Sequence, residues 1–231
     1  MNFPLFHYSS NMKLKFKEIN LNLNLEIWGA GTARTLRPIW MAEELGLKYK
    51  LFPIGPRTGE TQSKEFKKLN AKQKIPLLKH DDFLLSESVA ICRYLQRISN
   101  SKNIFIPQDD KTMALEDEWC NFIYGELDET SLYVMRRHFD LKDIYGDSPK
   151  VVESCRNYFE KYLALVENIL GKQDSLFGYD FGLADILLTT CLDWAEAYEF
   201  NLPLNVSRYH EAARNREAYK IAFDTNYKTK I

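Results

Sequence analysis

Apolar residues alternate along the segment LNLNLEIW, where Leu21, Leu23, Leu25 and Ile27 share one parity. A period of two predicts a half-buried strand, here ending near Trp28. The loop GAGTART follows. LRPIWMAEELG then spaces Leu36, Ile39, Trp40 and Leu45 close to a helical repeat, with Gly46 as the stop signal. Pro38 fits that helix only in its first turn, where a missing N–H costs nothing, so the pattern sets the start near Arg34 or Thr35. YKLFPI reads as a second strand and TQSKEFKKLN as a short polar helix. IPLLKH, the turn DD and FLL read as a hairpin, although Pro76 cannot donate to a strand ladder. Ser86 is placed to cap a helix through Ile91, Tyr94, Leu95 and Ile98. The order over residues 21–99 is β-α-β-α-β-β-α, enough for one small α/β domain.

The pattern changes after SNSKNIFIPQDD. From Lys111 onward the periodicity is helical and glycine and proline are few. TMALEDEWCNFIYGELDETSLYVMRRHF reads as one long amphipathic helix, with its MRRHF cluster on a solvated face. VVESCRNYFEKYLALVENIL reads as another, stopping at Gly171. GLADILLTTCLDWAEAY is apolar on nearly every face, as a buried central helix is. The chain therefore divides into an N-terminal extension (1–20), an α/β domain (21–99), a linker (100–110) and an all-helical domain (111–231).

Composition narrows the function classes. The 231 residues are 45% hydrophobic and 27% charged, ordinary for a soluble globular chain. Lys+Arg 31 against Asp+Glu 32 leaves a net charge of −1, so no global basic field points to nucleic acid. No stretch approaches the roughly 18 apolar residues of a membrane span. The first residues lack the basic and apolar regions of a secretion signal, and Met12 is an alternative start. Cys92, Cys120, Cys155 and Cys191 are far apart in helical segments. They read as packed thiols in a reducing cytoplasm, with no metal site.

NAKQKIPLL, LSESVAICRYL and FGLADILL, in this element order, resemble the cytosolic glutathione transferase superfamily, serine/threonine type. The resemblance implies a thioredoxin-like domain followed by a helical bundle, glutathione as co-substrate with no metal, and a homodimer. By this resemblance Ile75, before a cis Pro76, offers its main chain to the cysteine of glutathione, as an added strand would. Glu87 meets the γ-glutamyl ammonium, and Ser88 at a helix N-terminus meets the carboxylate beside it. Lys74 reaches the glycyl carboxylate or stays solvated, and Gln73 replaces a glycine common in the family. GYDFGLADI resembles the family's buried capping box, with Gly182 in place of the hydroxyl residue and Asp185 retained.

The family must favour thiolate over thiol, and GAGTART holds neither tyrosine nor cysteine. Glutaredoxin-like disulfide exchange is thereby excluded, since it needs a loop thiol. Thr32 falls in the register of the serine-type hydroxyl, Arg34 where other branches place cysteine, and Thr35 one residue further. Thr32 is the first choice. A small hydrophobic electrophile or peroxide is expected near Trp119, Tyr124, Tyr133 or Arg137. Two other outcomes stay open: a non-catalytic binding or assembly module, and a glutathione-dependent isomerase or reductive lyase.

Overall fold

A computed structural model describes residues 23–178 and 181–229. The extension 1–20, Leu21 of the first alternating run, and Tyr179 and Asp180 of GYDFGLADI lie outside the described residues. Strand β1 (Leu25–Trp28) leads through the loop into helix α1 (Ala33–Leu45), followed by β2 (Lys50–Phe52), α2 (Lys64–Leu69), the hairpin β3 (Leu77–His80) and β4 (Phe83–Ser86), and α3 (Ser88–Ile98). The strands lie in the order β2-β1-β3-β4. β1 runs parallel to β2 and antiparallel to β3, with Trp28 opposite Phe52 and Leu77. This is the thioredoxin-like arrangement.

The helical part comprises α4 (Asp110–Phe122), a π-helical segment (Ile123–Tyr133), α5 (Val134–His138), α6 (Lys142–Tyr145), α7 (Pro149–Leu170), α8 (Leu183–Ala197), α9 (Leu204–Arg214) and α10 (Glu217–Tyr227). Helix α8 is buried along almost its whole length, from Leu183 to Leu192, as its uniform apolarity predicts. Hydrophobic residues of α1, α3, α7 and α8 join one continuous core.

Five local expectations need correction. Helix α1 starts at Ala33, with Thr32 as its N-cap, so Pro38 lies in the second turn. A reciprocal cap decides this start. Thr32 Oγ accepts from Thr35 N at 3.0 Å, and Thr35 Oγ accepts from Thr32 N at 3.0 Å. Helix α3 is capped by Glu87 at φ +77° rather than by Ser86, which is the last residue of β4. Pro76 stands just before β3, where no ladder bond is required of it.

The expected long helix is α-helical only at its ends. In its middle Thr130 Oγ donates to Gly125 O at 2.7 Å and Ser131 Oγ to Glu126 O at 2.6 Å, both five residues back. Hydroxyl bonds of that reach match the wider π turn. Arg136, Arg137 and His138 of MRRHF are also half-buried rather than solvated: Arg137 lies over the rings of Tyr133 (5.6 Å) and Tyr145 (4.7 Å).

Gly182 has its own explanation. A Cβ there would stand 3.0 Å from Glu116 Oε1, and that oxygen accepts from Leu183 N at 3.2 Å. Glu116 of α4 thus supplies the cap that a serine hydroxyl would have given, while Asp185 Oδ2 accepts from Gly182 N at 2.8 Å.

Candidate functional site

A cavity of about 690 Å³ opens where the β1–α1 loop faces α5, α8 and α10. Its first wall is the loop itself. Gly29 takes φ +114°, and a Cβ on it would lie 2.7 Å from Ile75 Cβ. Only glycine lets the loop and Ile75 approach so closely. Gly29 N and Ala30 N then bond to Phe52 O and Ile54 O, fixing the loop to the end of β2.

Thr32 lines the cavity, whereas Thr35 is fully buried beneath it. A proton count separates the two hydroxyls. Thr35 Oγ has acceptors at Asn226 Oδ1 (2.8 Å) and Thr32 O (2.9 Å), and its single proton is used there. Thr32 Oγ already accepts from Thr35 N, so its own proton has two destinations: Thr35 Oγ at 3.0 Å, or the cavity. Beside it, among the described residues, the N–H groups of Ala33 and Arg34 meet no acceptor, as first-turn amides of a helix do not. The positive end of α1 therefore faces the same space.

The loop is pinned from the far end of the chain. Asn226 of α10 is fully buried. Its main-chain carbonyl and Oδ1 accept from Gly31 N at 2.9 and 3.2 Å, and its Nδ2 donates to Thr32 O at 3.1 Å. Sequence reading missed Asn226, since nothing local in FDTNYK marks a residue that folds back on a loop nearly two hundred positions earlier.

Ile75 and Lys74 form another part of the wall. The Ile75–Pro76 peptide is cis. Neither main-chain group of Ile75 bonds another described residue. Gln73, also on the wall, takes φ +55°, the left-handed conformation that glycine favours.

Glu87 and Ser88 stand outside the cavity wall, and so does Pro76. Glu87 is half-exposed and pairs with Lys72 Nζ at 2.9 Å, an exposed ion pair worth about 0–1 kcal/mol. Ser88 is buried, and its Oγ accepts from Arg37 at 3.4 Å, which leaves the serine proton free to donate.

Arg34 lines the cavity as well, but its guanidinium is already engaged. Its guanidinium pairs with Asp128 at 2.5 Å and Glu129 at 3.0 Å, and lies 4.4 Å over the ring of Tyr133. Arg37, fully buried on the next turn, reaches Asp128 at 2.6 Å and Thr190 Oγ1 at 2.8 Å. Burial opposes the charge on each group, but the attraction between them prevails. Asp128 is held below the usual carboxylate range, and both arginines are raised. Burial pushes the Tyr124 phenol up to about 12, against the opposing pull of Arg34. Tyr124 and Arg34 are thus committed to this network.

Of the residues expected around an electrophile, Tyr133 lines the cavity. Trp119 packs edge-on against Phe122 instead. Arg136, Asp140, Asp193, Trp194, Phe223 and Tyr227 line it unforeseen. They come from three helices and the turn after α5, whose mutual placement no single run of sequence encodes. All four cysteines are buried and free. Burial pushes Cys92 and Cys191 up to about 12, so neither supplies a reactive thiolate. Among the described residues no helix is long and apolar enough to cross a membrane.

Comparison with known proteins agrees along the chain. The family description "Glutathione S-transferase, N-terminal domain" matches residues 23–97, and "Glutathione S-transferase, C-terminal domain" matches 126–219. Glutathione S-transferase theta-1 of Bos taurus is 28% identical over 172 residues, 73% of this chain and 72% of that protein. Protein LigF of Sphingobium sp. is 32% identical over 104 residues, 45% of this chain and 40% of its own.

Among solved structures, a glutathione transferase of Phanerochaete chrysosporium in complex with oxidized glutathione superposes with a TM-score of 0.78 at 20% identity, over 90% of this chain and 98% of that one. The β-etherase LigF of Sphingobium sp. superposes at 0.77 and 19% identity, over 87% of this chain and 99% of its own. At such identities the likeness concerns the fold. With both family descriptions matched in order on a thioredoxin-like domain and a helical bundle, the chain belongs to the cytosolic glutathione transferase superfamily.

Proposed function

We propose that this protein is a glutathione transferase that binds glutathione along the β1–α1 loop and Ile75, and favours its thiolate at Thr32. One observation carries the reading: the Thr32 proton, which can turn from Thr35 Oγ to the cavity, the N–H groups at the start of α1 and the unbonded main chain of Ile75 converge on one cavity. Each suits a part of the tripeptide. Ile75 offers one donor and one acceptor to a peptide backbone. Thr32 Oγ–H donates to sulfur, and the dipole of α1 adds positive potential there. Lowering a thiol pKa by about two units takes roughly 2.7 kcal/mol, within reach of a charge-assisted hydrogen bond of about 1.5–3 kcal/mol plus a helix end.

Ser88 donates its free proton to the γ-glutamyl carboxylate. Glu87 exchanges the weak Lys72 pair for the ligand's ammonium, and Lys74 takes the glycyl carboxylate. Arg34 and Thr35 act as positioning residues, the first through Asp128 and the second through the cap. Glutathione supplies the nucleophile. The new bond forms between its sulfur and an electrophilic carbon held against the aromatic wall, and the displaced group leaves with the electron pair. Two copies associate as a homodimer in this reading.

A second reaction on the same site is thiolytic cleavage of an alkyl aryl ether, in which the glutathione sulfur bonds the alkyl carbon and the aryloxide leaves with the electron pair of the broken C–O bond. The likeness to the β-etherase LigF favours it.

Titration with glutathione, followed by tryptophan fluorescence and calorimetry, tests the reading. Saturable binding between micromolar and millimolar, weakened in Glu87→Ala, is expected. Absence of binding by both methods would overturn the enzyme reading and leave a transferase-shaped binding or assembly module.

A further inference from the structure

The far half of the cleft combines aromatic walls with a fixed carboxylate. Trp194, Phe223 and Tyr227 supply flat faces, and Asp193 of α8 lines the cavity among them. The Asp193 side chain is only 15% exposed. His210 Nε2 stands 2.8 Å from its Oδ1, and the Tyr219 hydroxyl 3.1 Å from each oxygen. Arg214 Nε lies 3.9 Å from Oδ1 as well. Three groups therefore crowd Oδ1, whereas Oδ2 shares a single phenol proton. A carboxylate has about four lone-pair sites, so Oδ2 retains acceptor capacity. A largely buried acceptor that goes unmet when the cavity fills is costly, and a ligand bringing its own donor avoids that cost.

Resting on the reading of the cleft given above, we propose that Asp193 selects aromatic electrophiles that carry a hydrogen-bond donor, such as a phenolic hydroxyl. The ring lies among Trp194, Phe223 and Tyr227, and the donor bonds to Asp193 Oδ2. His210 and Tyr219 are positioning residues that keep the carboxylate aimed. An anionic aromatic is the opposite chemistry, because Arg34, Arg57, Lys74 and Arg136 also line the cavity, and Arg136 lies 5.9 Å from the Trp194 ring centroid. Arg34 is already paired with Asp128 and Glu129, and Asp193, next to Trp194 in α8, repels an anion set against that ring, so the neutral donor is favoured there.

Calorimetry with three unreactive ketones separates these chemistries: benzylacetone, its para-hydroxyphenyl analogue and its para-carboxyphenyl analogue, each with and without glutathione. The hydroxylated ketone is expected to bind at least tenfold tighter than benzylacetone, equivalent to about 1.4 kcal/mol. In Asp193→Asn that advantage shrinks to under threefold. A para-methoxyphenyl analogue, which keeps the oxygen and loses the donor, also loses the advantage in the unaltered protein, so the test does not depend on the variant folding. Equal binding of the hydroxylated and parent ketones, or tightest binding of the carboxylate, overturns the proposal. Binding needs no turnover. A hydroxyl-dependent affinity in a protein that fails to bind glutathione would sink the transferase reading and leave the Asp193 assignment standing.

Discussion

At the scale of single residues, Thr32 caps α1 and, in the proposed reading, holds the thiolate, and two readouts tell these tasks apart. Its oxygen caps α1, and its proton is available to a ligand. Thr32→Val removes both at nearly constant volume, whereas Thr32→Ser restores both. Thr32→Val is expected to lose about 1 kcal/mol of stability as a missing cap and to keep glutathione binding by calorimetry. The pH–rate profile should shift upward by about 1–2 units, the equivalent of one hydrogen bond to a charged group. A profile that stays in place while the melting temperature falls would make Thr32 a cap and nothing more. Asn226 offers a complementary case, since it touches the loop without lining the cavity. Asn226→Ala removes the donor to Thr32 O and the acceptor for Thr35, at a cost of about 1–3 kcal/mol. Turnover number should fall while the Michaelis constant for the electrophile holds, because the loop loosens and the far wall does not. Thr32 was legible because hydroxyl, loop and helix start lie within a few residues. Asn226 was not, because its partners are fixed only by the folded chain.

Among the elements, the π-helical segment does what an α-helix of the same sequence would not. The wider turn is held by Thr130 and Ser131, and it carries Asp128 into the space between Arg34 and Arg37. Sequence periodicity located the helix but assumed one repeat throughout, so the change of turn and the burial of Asp128 went unread. The two arginines, three residues apart on α1, share one helix face, and that spacing was the available signal. Asp128→Asn leaves the buried Arg37 guanidinium with no counter-charge while Arg34 keeps Glu129, a loss of about 3–5 kcal/mol. Its pH dependence follows from the direction of the shift. Because folding lowers the Asp128 pKa below 3.8, the unfolded chain takes up the proton first on acidification. The stabilisation is therefore complete above pH 3.8 and disappears as pH falls through the folded value. The melting-temperature gap between the native protein and Asp128→Asn should be widest near neutrality and should close below that pH. A gap constant from pH 7 to pH 2 would show that Asp128 acts through shape rather than charge.

For the whole molecule, the decisive element is α1, which belongs to both halves at once. Leu36, Ile39, Trp40 and Met41 are all fully buried, more than one face of a helix on a sheet requires. The Trp40 ring lies 5.3 Å from Phe181 and 4.9 Å from Tyr219. Its Nε1 donates to Glu44 at 2.9 Å, and Arg216, from before α10, clasps the same carboxylate at 2.6 and 2.7 Å. Add the buried Arg37–Asp128 pair, and separating the halves exposes aromatic rings and leaves charges unpartnered. A contact of this kind resembles a core more than the polar interface between independent domains. Chains of this size with two structural units often unfold in steps, but here the first half has no complete core without the second. Denaturant unfolding should therefore show one transition. Far-UV circular dichroism weights the helices, while tryptophan fluorescence reports Trp28 and Trp40 on one side and Trp119 and Trp194 on the other. The two curves should share a midpoint and a slope. Two midpoints, the first carrying most of the fluorescence change, would mean that α1 parts from α8 and α10 before the sheet melts. The cleft between them would then open well before the protein unfolds, and glutathione at saturating concentration should move the first midpoint alone.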